Sequence, residues 1–503
     1  MGVNLKINMF KVLIKTIGLM LPFFILFENS KGDRTFILLL TVLLVLIYFI
    51  NKTLFSFLAI YISISGILIS HIFFKWGLTP YYFDSILEII SLTNLEESLQ
   101  YFQYTLSIND LFIFLYYSFL VFLGIHLNKT IVFKLKKKII LFFLSLTIIF
   151  SMILLAQHTR HNYLKSLPLG LITSVFKVLN SENLNVERNL FIKKNRRNDQ
   201  IKNEKLLLNY DKVVVVLGES VNKKFMSIYN NRVMTTPFLS KIKDSIIIMN
   251  SISPASQTHL SIPIMYTDIT YQNFNSFYKS NSFITDFRNF GYQTFWISNQ
   301  DGINDDTYGK INSIARESDN IYFANMSNST SFFDEILLEK IQESVIPQKK
   351  QLFNIHLMGS HYNYKQRYPR EKALHKRPNN LTQEYENSIF YTDSILKQIF
   401  KIFKSEKLLI VYTSDHGEVV SEIDGGHGFY QPYKDEFEVP LVFFSSIKND
   451  RIFKQKKLIN NESFYNLIKY ICGLDDNLNL SNSKKVISFD PSNINDFCFT
   501  EYK

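Results

Sequence analysis

Six side chains in this sequence have the chemistry of a metal-assisted reaction at a phosphoryl group. They are two carboxylates, one hydroxyl and three imidazoles: Glu219, Thr258, His361, Asp415, His416 and His427. Carboxylate oxygens and imidazole nitrogens suit Zn²⁺, which holds them in tetrahedral geometry. Three such ligands leave a fourth position, where a threonine hydroxyl would lose its proton readily and become a nucleophile. Each residue alone is a weak signal, so the prediction depends on where the fold places them.

Apolar runs after residue 210 predict the elements that carry these side chains. The runs cover residues 213–218, 245–249, 294–298, 352–357, 408–414 and 439–444. Short β-branched runs of this kind are typical of strands buried on both faces, and helical patterns such as 384–403 intervene. The alternation predicts an α/β domain with a mostly parallel sheet. Sites in such sheets lie at the carboxyl ends of the strands, where Glu219, His356 and Asp415 are found.

The first third of the chain has a different composition. Five apolar stretches predict transmembrane helices, which need roughly 17–25 residues each: 9–27, 35–50, 54–74, 111–127 and 139–157. No small-residue cleavage site follows the first stretch, which indicates a retained anchor. Lysines concentrate before the first stretch and between the fourth and fifth, so the positive-inside rule predicts a cytoplasmic N-terminus. Five crossings then place everything after residue 157 outside the cytoplasm.

We predict three parts: a transmembrane domain at 1–160, a polar linker at 161–208 and a catalytic domain at 209–503. The net charge of +11 does not indicate nucleic acid, because much of it flanks the apolar stretches. Residues 81–106 have the spacing of an amphipathic helix at the outer membrane surface. The basic cluster at 193–198 is a solvated connector or a contact for lipid phosphates. Spacing does not decide whether Cys472 and Cys498 form a disulfide.

Several motifs occur in the order found in membrane phosphoethanolamine transferases. GES at 218–220, SQTHLSIP at 256–263, HLMGSH at 356–361 and SDHGE at 414–418 resemble this family, as does the later His427. The family includes lipid A modifying enzymes and the mobile colistin-resistance enzymes. NNRVMTTPFL at 230–239 is similar to a further family segment. The SDHG motif and the strand-terminal glutamate alone resemble the wider alkaline phosphatase superfamily, with its sulfatase-like fold. The resemblance runs through nearly the whole chain, including the five predicted helices.

This resemblance implies a zinc site in the catalytic domain. Glu219, Asp415 and His416 match the zinc ligands of the family. Thr258 matches both the fourth ligand and the nucleophile. One Zn²⁺ ion is expected, and a second is an open alternative.

The resemblance also implies residues on the substrate side. His361 and His427 match residues that hold the phosphoethanolamine group or a second zinc. Either histidine would protonate the leaving oxygen or activate the acceptor, since histidine titrates near neutral pH. His356 binds substrate or only stabilises the end of its strand. Thr93 and Glu97, in the segment 81–106, look like the substrate-facing threonine and glutamate of the family.

Three departures from the family pattern surround these positions. Pro254 and Ile264 stand where well-known members have cysteines flanking the nucleophile loop, so we expect packing to hold the loop. NKKF at 222–225 replaces the usual R-x-D-H, and Ile89 replaces an amide in the outer loop. These changes concern the donor pocket and the acceptor more than the metal site.

The predicted reaction has two steps. Thr258 attacks phosphatidylethanolamine and releases diacylglycerol, and lipid A or another cell-envelope glycan then accepts the phosphoethanolamine from Thr258. Both substrates would lie in one leaflet of the bacterial inner membrane, with the catalytic domain in the periplasm. The alternatives are a lipoteichoic acid synthase-like glycerophosphotransferase, which usually uses manganese, and an inactive scaffold of the same fold. A sulfatase would need a C/S-x-P-x-R motif, which neither cysteine has. The sequence does not reveal the acceptor or the oligomeric state.

Overall fold

The chain divides into two units, Met1–Asn180 and Ser181–Lys503. The structure is a computed structural model that describes residues 188, 190–191, 210–229, 232–300, 309–324, 333–403, 407–421, 425–428, 432–448, 450–453, 458–481, 484–488 and 498–502. The five predicted spans, the segment 81–106 with Thr93 and Glu97, and the basic cluster at 193–198 lie outside these residues. Among the described helices, none combines the length and apolarity needed to cross a bilayer.

Strands form the centre of the described part of the chain. Their bounds are β1 Lys212–Gly218, β2 Ile246–Ile252, β3 Gln293–Ser298, β4 Asn320–Phe323, β5 Gln351–His356, β6 Leu408–Ser414, β7 Val419–Val420, β8 Gly425–Gly426, β9 Glu438–Ser445, β10 Ile459–Asn460, β11 Lys485–Ser488 and β12 Cys498–Glu501. Eight of them make one sheet in the order β10-β2-β9-β6-β1-β5-β3-β4. All six apolar runs predicted as strands are strands of this sheet.

The sheet is mixed rather than purely parallel. β9 is antiparallel to both of its neighbours, β2 and β6, while the other neighbouring pairs are parallel. The prediction of a mostly parallel α/β sheet is therefore confirmed with one correction. The run at 439–444 points the opposite way, so the carboxyl end of β9 lies at the far edge, away from the other strand ends. The strand-end rule used for the site does not apply to this run.

The central position of β1 in the sheet explains why its sequence is apolar without alternation. All seven residues of β1 are buried. Val213, Val215 and Leu217 join one apolar layer, and Val214 and Val216 join the other. Successive side chains of a strand point to opposite faces, and both faces of this sheet are covered. A strand in that position needs apolar residues throughout.

Helices cover the two faces of the sheet. They are α1 Pro237–Lys241, α2 Thr258–Tyr266, α3 Phe283–Asn289, α4 Lys310–Ala315, α5 Ile336–Ser344, α6 Leu381–Ile402, α7 Asp450–Phe453 and α8 Phe464–Ile471. Short 3₁₀ turns occur at Lys223–Phe225, Ser227–Tyr229, Lys243–Ser245, Phe274–Lys279, Tyr364–Gln366, Arg370–Lys372, Lys434–Glu436 and Asn461–Ser463. The longest helix, α6, begins after Asn380, whose side chain accepts the N–H of Gln383 as an N-cap. It corresponds to the helix predicted at 384–403.

The register of the central strands brings their carboxyl ends to one edge. β1 is parallel to both β5 and β6, with Leu217 opposite His356 and Gly218 opposite Ser414. The residues that follow these strands therefore emerge side by side, which is where the sequence places its candidate site.

Two small antiparallel hairpins lie outside the main sheet. β7 pairs with β8, and β11 pairs with β12 near the C-terminus. Cys472, which follows α8, is a buried free thiol, and burial raises its pKa. In this structure Cys472 therefore forms no disulfide.

Candidate metal and phosphoryl-transfer site

Four residues meet at the edge where β1, β2 and β6 end. Glu219 follows β1, Asp415 and His416 follow β6, and Thr258 begins α2 after the loop that leaves β2. His416 Nε2 lies 3.2 Å from Glu219 Oε1 and 3.2 Å from Asp415 Oδ2. The Thr258 hydroxyl donates to Glu219 Oε1 at 3.2 Å and lies 3.2 Å from His416 Nε2. We call these four residues the nucleophile side of the site.

Surrounding hydrogen bonds orient Asp415 and His416. Asp415 Oδ1 accepts the backbone N–H of Ser220 at 3.1 Å and that of His416 at 2.7 Å. His416 Nδ1 is 2.8 Å from the carbonyl oxygen of Gly417, so Nδ1 carries a proton that it donates to this carbonyl, and Nε2 faces the other ligands. Imidazoles that bind metals typically make such a hydrogen bond with the ring nitrogen that does not face the ion.

The donor atoms of this group fit a divalent cation. Asp415 Oδ2 is buried and, within the described part of the chain, makes no hydrogen bond, an arrangement that costs free energy unless a positive charge lies beside the oxygen. The ligand atoms of Glu219, Asp415 and His416 lie within 4.8 Å of one another. Two carboxylate oxygens and one imidazole nitrogen are ligands that zinc accepts. The residues present therefore fit a zinc ion.

Two left-handed backbone positions let the strand ends approach each other. Ser220 has a φ of 57°, which is uncommon for a residue with a side chain and is often found at functional turns. Gly359, in the HLMGSH loop, has a φ of 55°, and a Cβ there would lie 2.7 Å from the backbone nitrogen of Glu219. Glycine thus allows the loop that carries His361 to pass directly over Glu219.

The electrostatics of the nucleophile side favour positive charge between the carboxylates. Burial raises the pKa of Glu219, but the neighbouring imidazoles of His356 and His416 lower it well below its usual range. Burial and the charge of Glu219 raise the pKa of Asp415 to about 6. Burial lowers the pKa of His416, but Asp415 and Glu219 outweigh burial and raise this pKa to about 10. Two carboxylates beside one imidazole therefore stabilise a cation placed among them.

His416 also belongs to a second group of possible metal ligands, with Glu418 and His427. His427 Nδ1 lies 2.7 Å from Glu418 Oε2, and the rings of His427 and His416 are 4.0 Å apart between centroids. The hydroxyl of Tyr364 donates to Glu418 Oε1 at 2.6 Å. Glu418 therefore fixes the orientation of the His427 ring. We call Glu418 and His427 the histidine side of the site.

His356 and His361 approach Glu219 from the end of β5 and the loop that follows. His356 Nε2 is 3.8 Å from Glu219 Oε2, and neither of its buried ring nitrogens has a hydrogen-bond partner. His361 Nδ1 is also buried without a hydrogen-bond partner, and the charge of His361 lowers the pKa of Glu219. Both imidazoles therefore act on the carboxylate of Glu219.

The structure brings the predicted residues of the catalytic domain to one edge of the sheet. They are Glu219, Thr258, His356, His361, Asp415, His416 and His427. Of these, Glu219, Asp415 and His416 form the tight ligand group, and Thr258 hydrogen-bonds to it. Thr93 and Glu97, the other predicted substrate residues, lie outside the described part of the chain.

Sequence reasoning missed three residues that support this edge. Gln300 donates to the carbonyl of Leu357 at 2.9 Å and lies 3.5 Å from Glu219 Oε2. It follows β3, so the strand-end rule that found Glu219 also applies to it. Asp334 accepts the N–H groups of Met358 and Gly359 at 2.7 and 3.0 Å and so holds the HLMGSH loop. Asp334 and Tyr364 come from segments without a sequence signal.

Comparison with known proteins supports a common family. The sulfatase family model matches residues 211–470. Phosphoethanolamine transferase EptC of Escherichia coli K12 is 27% identical over 263 residues, and the Kdo(2)-lipid A phosphoethanolamine 7''-transferase of Salmonella typhimurium is 25% identical over 261. Each match covers 47% of this chain, and 45% and 44% of the respective relative. The chain thus matches less than half the length of these curated relatives.

Two solved structures share the fold. The zinc complex of the C-terminal periplasmic domain of EcEptC from Escherichia coli has a TM-score of 0.51 and 22% identity, over 58% of this chain and 92% of that one. The integral membrane protein lipooligosaccharide phosphoethanolamine transferase A (EptA) from Neisseria meningitidis has a TM-score of 0.59 and 14% identity, over 93% of this chain and 94% of that one. The resemblance to phosphoethanolamine transferases that the motifs indicate is confirmed. Because the sulfatase model matches more than half of its residues, this chain belongs to the sulfatase family.

Proposed function

We propose that this chain transfers phosphoethanolamine from phosphatidylethanolamine to lipid A or another cell-envelope glycan. One observation carries the proposal: the half-buried hydroxyl of Thr258 lies 3.2 Å from both Glu219 Oε1 and His416 Nε2. A hydroxyl among ligand atoms of this kind is suited to attack phosphorus. The relatives named as phosphoethanolamine transferases support the choice of transferred group.

Glu219, Asp415 and His416 are the residues that would hold a zinc ion. The buried Asp415 Oδ2 and His416 Nε2, 3.2 Å apart, support this choice, as does the zinc complex of EcEptC. When bound, zinc would supply Lewis-acid charge that offsets the negative phosphoryl oxygens and makes a nearby hydroxyl more acidic. The group of His416, Glu418 and His427 offers ligands for a second ion.

In the first step, Thr258 Oγ1 forms a bond to the phosphorus of phosphatidylethanolamine. The bond from phosphorus to the diacylglycerol oxygen breaks. Glu219 Oε1 orients the Thr258 hydroxyl by accepting its hydrogen bond, and the Thr258 proton leaves to solvent. His361 or His427 gives a proton to the departing diacylglycerol oxygen. Phosphoethanolamine is then bonded to Thr258.

In the second step, a hydroxyl or phosphate oxygen of the acceptor forms a bond to the same phosphorus. The bond between phosphorus and Thr258 Oγ1 breaks, and the histidine that gave up a proton in the first step takes one from a hydroxyl acceptor. Glu418, which holds Nδ1 of His427 at 2.7 Å, keeps that ring in position through both steps. Thr258 regains its proton and the site is ready for another donor.

The proposed location is the periplasmic side of a bacterial inner membrane. The five apolar stretches before residue 160 and the lysines around them support a multi-pass anchor with a cytoplasmic N-terminus. The fold shared with EptA over 93% of this chain supports a helix bundle before the catalytic domain. Domain boundaries at 1–160, 161–208 and 209–503 follow from this arrangement. Donor and acceptor would then be lipids of one leaflet, reached also by Thr93 and Glu97.

Mass spectrometry of envelope glycolipids tests the proposal. A strain without this gene is complemented with the wild type, Thr258→Ser or Thr258→Ala, and diacylglycerol release is measured in parallel. We expect phosphoethanolamine on the glycolipid with the wild type, a reduced amount with Thr258→Ser, which keeps a hydroxyl, and none with Thr258→Ala. Addition of glycerophosphate instead would identify a lipoteichoic acid synthase-like enzyme. Unchanged activity of Thr258→Ala would exclude the covalent route.

A further inference from the structure

The loop that precedes Thr258 is hydrogen-bonded to the backbone of Asp415, one of the proposed metal ligands. This loop, residues 253–257, leaves β2 and leads into α2. The hydroxyls of Ser253 and Ser261 both donate to the carbonyl oxygen of Asp415. The N–H of Ser253 also donates to the carbonyl of Phe437 at 2.8 Å. These bonds tie the start of the loop, and the beginning of the helix that follows it, to the residues beside the site.

On its outer side, the same loop pairs with β11 of the C-terminal hairpin. The N–H of Ile487 donates to the carbonyl of Pro254 at 2.8 Å, and the N–H of Ser256 donates to the carbonyl of Ile487 at 3.2 Å. Ala255 and Ile487 form a parallel β-bridge. Two backbone hydrogen bonds to one residue therefore hold the middle of the loop, two residues before Thr258.

The hairpin that supplies Ile487 is anchored to the domain by its own side chains. Val486 and Tyr502 form a small apolar cluster with Ile252 and Phe437, which end β2 and precede β9. The hydroxyl of Tyr502 donates to Glu438, and its backbone N–H donates to the carbonyl of Lys484 at 2.7 Å. The hairpin is therefore fixed at both of its strands, and β11 is a stable partner for the loop.

We infer that the β11–β12 hairpin is a positioning brace for Thr258. Pro254 and Ile264 leave the loop without a covalent cross-link, and the sequence alone leads us to expect that packing holds it. In the structure the loop is held by backbone pairing with a segment more than two hundred residues away along the chain. Ile487 and Tyr502 act on Thr258 through this pairing. The inference rests on the proposed function only for its effect on catalysis.

Amide hydrogen exchange of the full-length protein tests the brace without any assay of activity. Ile487→Pro removes the N–H that bonds to Pro254, and that N–H points away from β12, so the hairpin pairing is kept. We expect exchange of the Ser256 N–H to become at least about 10-fold faster. The N–H of Ser253, which bonds to Phe437, is the internal control and should keep its protection.

Kinetics of the same variant separate positioning from general destabilisation. Displacement of a catalytic group by about 1 Å can cost about 100-fold in rate, so we expect kcat to fall about 10- to 100-fold with KM for the lipid donor nearly unchanged. Leu396→Ala is the matched control, because it opens a cavity in α6 within the apolar layer on one face of the sheet, away from the hairpin cluster. It should lower Tm without faster exchange at Ser256 and without a selective loss of kcat.

Tyr502→Phe provides a milder variant in case Ile487→Pro does not fold. It keeps the ring in its cluster and removes only the bond to Glu438, so a smaller change in the same direction is expected for Ser256 exchange and for kcat. Unchanged exchange at Ser256 in the folded variants would overturn the brace. Faster exchange with no phosphoethanolamine transfer even by the wild type would support the brace and reject the proposed function instead.

Discussion

The nucleophile side and the histidine side of the site are constructed differently. The side chains of Glu219, Asp415 and His416 are at most 1% exposed and follow the adjacent strands β1 and β6. On the histidine side, His427 is 22% exposed and follows the two-residue strand β8. The first set is fixed by the register of a central sheet, whereas the second is held mainly by local bonds such as that between Glu418 and His427.

This difference assigns different work to the two sides. Groups that stabilise developing charge must be held to within roughly 0.5 Å, which strands and buried hydrogen bonds achieve. Groups that exchange protons with two successive substrates need access to solvent and to the lipid. Under the proposed function, the buried side would carry out the chemistry at phosphorus and the more open side would transfer protons. Variants on the two sides should consequently lose transfer activity to different extents.

The largest effect is expected from a carboxylate of the nucleophile side. Asp415→Asn removes the charge of a buried oxygen that has no hydrogen-bond partner, so transfer should fall about 1000-fold or more. Asp435→Asn is the matched control, since Asp435 is partly exposed and pairs with Lys224 at the surface. Its rate should stay within about 2-fold of the wild type, as expected for a surface pair. Equal losses in the two variants would show that the effect of Asp415→Asn is not specific to the nucleophile side.

A smaller loss is expected when the exposed imidazole is removed. A general acid or base contributes about 10²- to 10⁴-fold, and His361 is a second candidate for the same role, so His427→Ala should lower kcat about 100-fold. The rate is measured with a labelled phosphatidylethanolamine donor in mixed micelles. Zinc affinity should stay close to that of the wild type, because the nucleophile side is intact. Wild-type kcat in His427→Ala would remove this residue from the mechanism.

A still smaller effect is expected at the residue that orients His427. Glu418→Gln keeps a similar shape but replaces the charged partner of His427 Nδ1, now at 2.7 Å, with an amide. Changes of this kind typically cost about 10- to 100-fold, and we expect the lower value. Tyr364→Phe removes the donor to the other oxygen of Glu418 and should cost less again. A larger loss in Tyr364→Phe than in Glu418→Gln would show that the bond to His427 is not what matters.

The smallest effect on activity is expected from a buried carboxylate outside both sides. Asp393 accepts the N–H groups of Phe238 and Leu239 at the start of α1, at 2.7 and 3.1 Å, and burial raises its pKa to about 7. Because this pKa lies above the ordinary value of about 4, the protonated group stabilises the fold below pH 4. That contribution is lost as the pH rises from about 4 to about 7.

Asp393→Asn should therefore flatten the dependence of unfolding free energy on pH in this window, by no more than about 4 kcal/mol. Thermal unfolding of the purified protein between pH 4 and 8 measures the change. Transfer at pH 7 should stay within about 2-fold of the wild type, since surface and off-site changes leave the reacting groups in place. If the unfolding free energy of the wild type and of Asp393→Asn depended on pH in the same way, Asp393 would not be the source of that dependence.

The same contrast explains what the sequence predicts well. Glu219 and Asp415 are found from sequence because each follows an apolar run that becomes a buried parallel strand, and parallel register brings the two ends together. Thr258 enters through the family motif rather than through a strand pattern. The six strands are predicted because burial on both faces demands continuous apolar residues. The direction of β9 is not predicted, because an apolar run does not indicate whether a strand is parallel or antiparallel to its neighbours.

What the sequence does not predict depends on contacts between distant segments. Asp334 holds the HLMGSH loop through backbone N–H groups, which have no sequence signature. The pairing of Ile487 with the nucleophile loop joins residues from opposite ends of the catalytic domain. Gln300 could have been predicted from the sequence, because it follows β3 as Glu219 follows β1. The short strands β4 and β10 were missed because two to four residues are too few for a pattern.

Zinc binding to the metal-stripped protein tests the central claim most directly. Calorimetric titration at pH 7 should show a tight site in the wild type and in His427→Ala. In Asp415→Asn the zinc affinity of that site should fall at least about 10- to 100-fold. Substitution of residues that only support metal ligands already causes a loss of this size. Wild-type affinity in Asp415→Asn would contradict the claim that Glu219, Asp415 and His416 together hold the ion beside Thr258.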